Sequence, residues 1–247
     1  MVFIIKKRYN RKCGGKMKKV FLSLLILVCA FLLTGCNNKK TDAIKFKEEY
    51  ESINNKETEN KEHKYRELNI SKDNPFVYAT EDEIVEKINN KESFIVYFGF
   101  KECPWCRSVL EELVHAAKDK KVDKIYYVDV LDIRDVKELE NGEIKTSREG
   151  TEGYMKLIEL LGDVLDDYTL TNENEESIKV GEKRIYAPNV VAISSGKAIK
   201  LETGTPDYFE DPYSKLTKKI RKYSYDKFIC LMKCLEEEST VCKKNSC

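Results

Sequence analysis

The sequence predicts an α/β fold, a mixed sheet flanked by helices. Three observations carry this. Residues 76–79, 93–100, 124–131 and 185–194 are short runs rich in aromatic and β-branched side chains, the composition of strands. Between the first three lie segments with apolar residues at helical spacing, and such alternation implies parallel strands joined by right-handed crossovers. Beyond the last run, Ser195-Gly196 is a tight-turn pair leading into 197–202, so a hairpin adds an antiparallel edge.

In chain order, 76–79 (FVYA) reads as a short strand. Thr80 followed by Glu83 is a capping box, and the helix it opens puts Ile84, Val85 and Ile88 on one face before ending near Asn89-Asn90. Residues 93–100 (SFIVYFGF) read as a buried central strand, with Phe94, Phe98 and Phe100 as core. Pro104 suits a first helical turn, and Val109, Leu110, Leu113 and Ala116 continue that helix to about Lys120. After the strand 124–131, a charged stretch to Gly150 holds little core. Thr151 opens a helix carrying Tyr154, Leu157, Ile158, Leu161, Val164 and Leu165. Residues 166–183 read as polar loop. Asp211-Pro212 is an N-cap with an N1 proline, expected to open a helix through Leu216 and Ile220.

The 247 residues carry 44 Lys and Arg against 43 Asp and Glu. The near-zero total hides an asymmetry. Residues 1–35 hold eight bases and no acid, so the other 212 hold 36 bases against 43 acids. That body does not suit nucleic acid. The basic stretch precedes 20–33 (VFLSLLILVCAFLL), 14 largely apolar residues, too short to span hydrocarbon, which takes about 20. Charged residues, then an apolar run, then small residues is the layout of a secretory signal. Leu33-Thr34-Gly35-Cys36 resembles the lipobox of bacterial lipoproteins, and the resemblance implies that Cys36 is lipidated and becomes the new N-terminus. Met17-Lys18-Lys19 reads as the more ordinary start of such a signal, with 1–16 as an upstream extension. The expected location is therefore extracytoplasmic, lipid-anchored to the cell membrane, with 36–74 as anchor and spacer, partly helical near 46–53 at most.

Nine cysteines are present. Cys13 and Cys29 belong to the signal and Cys36 to the lipid. The remaining six form Cys103-Pro104-Trp105-Cys106 and a C-terminal set, Cys230, Cys234, Cys242 and Cys247. An even number outside the cytoplasm favours disulfides in the C-terminal set. A redox relay and a four-thiolate zinc site rank behind that reading. If 226–247 is a helical tail that turns back at Ser239-Thr240, antiparallel geometry pairs Cys234 with Cys242 and Cys230 with Cys247.

A strand, then C-P-W-C, then a helix resembles the thioredoxin-like superfamily, over roughly residues 75–225. The order of elements and Pro188 at the head of a later strand share in the likeness. The resemblance implies a three-layer fold with an enlarged crossover before a cis-proline strand. It implies Cys103 as the exposed attacking thiol and Cys106 as the buried resolver. It also implies a substrate-binding edge at Ala187-Pro188. Placing the first sulfur at a helix N-terminus favours its thiolate. Trp105 serves equally as a substrate contact or as a shaper of the loop. Tyr97 stands where thioredoxin carries a buried carboxylate, and Ala187 replaces a threonine. These departures resemble Gram-positive thioredoxin-like lipoproteins and bacteriocin-transport accessory proteins.

Simpler roles compete for several of these residues. C-x-x-C can be half a zinc site, but the other ligands would have to come from far away, so no metal site is assigned. His63 lies in the spacer, and His115 reads as a satisfied structural histidine. Glu102 reads as solvated. The expected activity is thiol–disulfide exchange on protein cysteines through a mixed disulfide, with no cofactor beyond the dithiol. Its partners are protein thiols or disulfides, a further redox protein, and the membrane through the anchor. The rival is a non-enzymatic thioredoxin-like module that binds an exported peptide, which would not need Cys103.

Overall fold

The computed structural model describes residues 40–236. Chain order is α1 (Asp42–Glu51), β1 (Phe76–Tyr78), α2 (Glu81–Asn89), β2 (Phe94–Gly99), α3 (Pro104–Asp119) and β3 (Ile125–Asp129). There follow β4 (Val136–Glu140), β5 (Glu143–Arg148), α4 (Glu152–Leu161), β6 (Asp166–Thr171), β7 (Ser177–Arg184), β8 (Asn189–Ser194), β9 (Lys197–Glu202) and α5 (Lys218–Glu236). The sequence folds as an α/β protein with a mixed sheet and helices on both faces.

The main sheet has the order β1-β3-β2-β8-β9. β1, β3 and β2 run parallel, while β8 is antiparallel to β2 and β9 to β8. Side chains alternate across the sheet, so each central strand feeds two cores. Ile95 and Tyr97 of β2, Tyr127 of β3, and Val190 and Ala192 of β8 pack with α1, α3 and α5. Phe94, Val96 and Phe98, with Val128, Val191 and Ile193, pack with α2 and α4. β2 is buried along its whole length, as its unbroken apolar run requires.

Local chemistry sets the helix starts. Thr80 and Glu83 form the complete capping box of α2, and Thr151 caps α4 through the Tyr154 N–H. Ser195 and Gly196 adopt φ values of 49° and 72°, the left-handed pair of a two-residue hairpin. A side chain at Gly196 would also run into the backbone carbonyl of Ile88.

Four expectations need correction. The stretch read as a spacer is part of the folded unit that begins at Thr41. Phe46 and Tyr50, four apart on α1, are wholly buried, and Tyr65, Leu68 and Ile70 are buried with them. Their apolar spacing is diluted by charged neighbours that occupy the solvent face. The stretch read as polar loop, 166–183, is largely the two-stranded ribbon β6–β7, and the charged stretch before Gly150 holds a second ribbon, β4–β5. Both are held by backbone pairing with little apolar burial. The last helix starts at Lys218, with Thr217 accepting from the Ile220 N–H. Asp211 instead closes a turn by accepting from the Tyr213 N–H. Finally, 226 is not a boundary: α5 runs through it, placing Phe228, Leu231 and Met232 in the core.

Candidate active site around Cys103 and Cys106

β2 ends at Gly99 and α3 begins at Pro104, so the dithiol sits at the carboxyl end of the central strand. Cys103 is the N-cap of α3: its sulfur accepts from the Cys106 N–H at 3.2 Å. Proline fits the next position because its missing N–H has no helical partner there. On the neighbouring strand, Phe98 lies opposite Asn189. That register brings the preceding Ala187-Pro188 beside the cysteines. The Ala187–Pro188 peptide is cis. The Cys103 thiol donates to the Ala187 carbonyl at 3.2 Å.

The loop before β8 is braced from several sides. Arg184 pairs with Asp135 at 2.9 Å, both side chains buried, and its guanidinium lies 3.9 Å above the Tyr168 ring. The Tyr186 N–H donates to Asn189 at 2.7 Å, and the Tyr186 hydroxyl donates to the Asp167 carbonyl at 3.2 Å.

Both thiols are free. Cys106 is wholly buried as expected, but Cys103 is only 3% exposed rather than open to solvent. The cover comes from its cap position and from the elements around Ala187 and Trp105. The two nevertheless differ electrostatically. Burial works against a thiolate at Cys103, but the Cys106 thiol, the Cys106 and Trp105 N–H groups and the Arg134 charge outweigh it, so its pKa is lowered. Burial pushes the Cys106 thiol well up, and the Cys103 charge adds to the rise.

Trp105 is partly buried, edge-on to Phe209 with centroids 5.5 Å apart, and it packs on Leu216 and Ile220. It therefore ties the segment before α5 to the dithiol helix. Tyr213 stacks on His63 at 4.1 Å, and burial followed by the nearby Cys103 charge raises its hydroxyl pKa.

Two arginines around the dithiol, Arg107 and Arg134, carried no signal in the sequence. Arg107, only 1% exposed, donates to the carbonyls of Tyr50, Lys101 and Arg66 and to Asn54. It fastens the first turn of α3 to the N-terminal segment. Arg134 lies 4.9 Å over the Phe100 ring. Tyr97 packs with the dithiol in one buried cluster, where it and Cys106 perturb each other's ionisation. Its ring runs along β2 over Gly99, where a side chain would collide with it. His115, expected to be a satisfied structural histidine, is 62% exposed beside Glu112.

Cys230 and Cys234 are disulfide-bonded. Their expected partners Cys242 and Cys247, and the lipid site Cys36, lie outside the described residues. Among the described residues no group of three or more His, Cys, Asp or Glu side chains is placed to hold a metal ion. No helix among them is long and apolar enough to cross a membrane. No family model and no curated protein matches the chain.

Proposed function

We propose that this chain is a membrane-tethered, extracytoplasmic thiol–disulfide oxidoreductase of the thioredoxin-like class, acting on protein cysteines. One observation carries the reading: two free cysteines one helical turn apart, the first at a helix N-terminus with a lowered pKa, the second buried with a raised one, facing a cis-proline loop. The strand order β1-β3-β2-β8-β9 and the inserted ribbons before β8 support the same class. The tether rests on the sequence of residues 20–36 alone.

The chemistry follows from that asymmetry. Cys103 loses its thiol proton, and with it the hydrogen bond to the Ala187 carbonyl, and the thiolate attacks one sulfur of a substrate disulfide. A Cys103–substrate bond forms, and the other substrate sulfur leaves with the bonding pair. Cys106 then attacks Cys103, the second substrate sulfur leaves, and the chain's dithiol has given two electrons to the substrate. Run backwards, the same steps oxidise a substrate dithiol. Releasing the Ala187 carbonyl leaves an acceptor free for the backbone of an extended substrate.

Incubating the reduced chain with oxidised glutathione tests the proposal. The expected product is an intramolecular Cys103–Cys106 disulfide that reduced glutathione reverses. If both thiols persist under conditions that oxidise an exposed thiol, the activity is excluded.

A further inference from the structure

The dithiol chemistry leaves one proton to place. When Cys106 attacks the mixed disulfide it must lose its thiol proton, yet Cys106 is wholly buried and its pKa is pushed up. Bulk water does not reach it. Beneath it lie three tyrosines, Tyr97 of β2, Tyr50 of α1 and Tyr127 of β3, each wholly buried. The Tyr97 side chain lies in the same buried cluster as Cys106, and each group perturbs the other's ionisation. The Tyr97 and Tyr50 hydroxyls are 3.2 Å apart, and either can donate. The Tyr50 ring meets that of Tyr127 edge to face, centroids 5.9 Å apart. The Tyr127 hydroxyl donates to Glu49 at 3.4 Å, and Asp129 lies 3.5 Å away. Glu49 is partly exposed and Asp129 is exposed. Three buried hydroxyls thus lead from the resolving thiol to carboxylates at the surface.

We infer that Tyr97, Tyr50 and Tyr127 form a proton wire that carries the Cys106 proton to the Glu49 carboxylate as Cys106 closes the dithiol; this rests on the oxidoreductase reading. The step balances. The Cys106 S–H proton moves to the Tyr97 oxygen, while Tyr97 passes its own to Tyr50, Tyr50 to Tyr127 and Tyr127 to Glu49. The sulfur pair freed on Cys106 forms the bond to Cys103, and the Cys103–substrate pair leaves on the substrate sulfur. Each tyrosine ends neutral. Burial opposes tyrosinate at all three, so the shift must be concerted rather than stepwise. The other ionisable groups facing the wire are Arg107 of α3, which donates to the Tyr50 carbonyl, Cys103 beyond Cys106, and Tyr78 of β1, bonded to Glu49. A lone buried acid is not needed when the path reaches a solvated one.

Dithiobis(nitrobenzoate) reads the two steps separately. Attack by Cys103 releases one coloured thiolate, and attack by Cys106 on the resulting mixed disulfide releases the second. In Tyr97→Phe, which keeps the ring, the second release is expected to slow by about a hundredfold relative to the first, the low end for a positioned proton-transfer group. It should also become steeply dependent on pH, because hydroxide must then take the proton. Tyr50→Phe should do the same, and Glu49→Gln should slow the second release less; these two carry the test if Tyr97→Phe does not fold. A ratio of second to first release that stays at the wild-type value in these variants overturns the wire, as does equal slowing of both. A wild-type chain giving no first release overturns the oxidoreductase reading and the wire with it.

Discussion

Two thiols three residues apart differ in what surrounds them. Cys103 has N–H groups and the Arg134 charge in front of it, whereas Cys106 has burial behind it and a charge beside it. Because the folded pKa of Cys103 is lowered, its thiolate persists below the usual thiol range and is lost only as pH falls through that lowered value. Iodoacetamide at mildly acidic pH should therefore label Cys103 and leave Cys106 untouched, with mass mapping as the readout; labelling of Cys106 first would reverse the roles. Arg134→Met should slow that labelling at acidic pH and leave it unchanged at alkaline pH. The buried Arg184–Asp135 pair makes a separate prediction. Asp135→Ala leaves an unpaired guanidinium under the Ala187 loop and should cost about 3–5 kcal/mol in urea unfolding. The sequence made the two cysteines and Pro188 legible because their spacing and neighbours are local. Arg107 and Arg134 were not legible, because their partners lie far away in the chain and nothing beside them marks a buried arginine.

At the scale of elements, α1 belongs to the site rather than to a tether. It supplies Tyr50 and Phe46 beneath the dithiol, and the Tyr50 carbonyl accepts from Arg107. Phe46→Ala should cost about 3–5 kcal/mol in denaturant unfolding. A 75–247 fragment should fail to fold where 40–247 succeeds; a stable shorter fragment with the same dithiol reactivity would return α1 to the spacer role. The tyrosine cluster adds a pH dependence. Tyr50, Tyr97 and Tyr127 have folded pKa values raised by burial, so their stabilisation is complete below the unfolded tyrosine value near ~10 and is lost as pH rises above it. The thermal midpoint should fall in that range, and less steeply in Tyr50→Phe. Capping threonines announced α2 and α4, Pro104 announced α3, and apolar periodicity supported all three. The two ribbons escaped notice because strands exposed on both faces show no alternation, and α1 because only Phe46 and Tyr50 carry large buried side chains in a helix with six charged residues.

Across the whole molecule, a five-stranded sheet places the dithiol at the carboxyl end of its central strand, with helices covering both faces. The ribbons and α4 fall between β3 and β8, so the chain brings that insertion back beside the dithiol before Ala187. Outside the described residues, the lipobox-like Leu33-Thr34-Gly35-Cys36 predicts that Cys36→Ala abolishes incorporation of labelled fatty acid, and persistent labelling would remove the tether. The central claim is that Cys103 exchanges disulfides with protein substrates and Cys106 resolves them. Its most direct test is Cys106→Ser expressed in the full chain, with free thiols blocked by acid quench and adducts mapped under non-reducing conditions. The account predicts mixed disulfides with other proteins joined at Cys103 and absent from a Cys103→Ser, Cys106→Ser double variant. Adducts that persist in the double variant, or a Cys106→Ser chain that carries none, would contradict it.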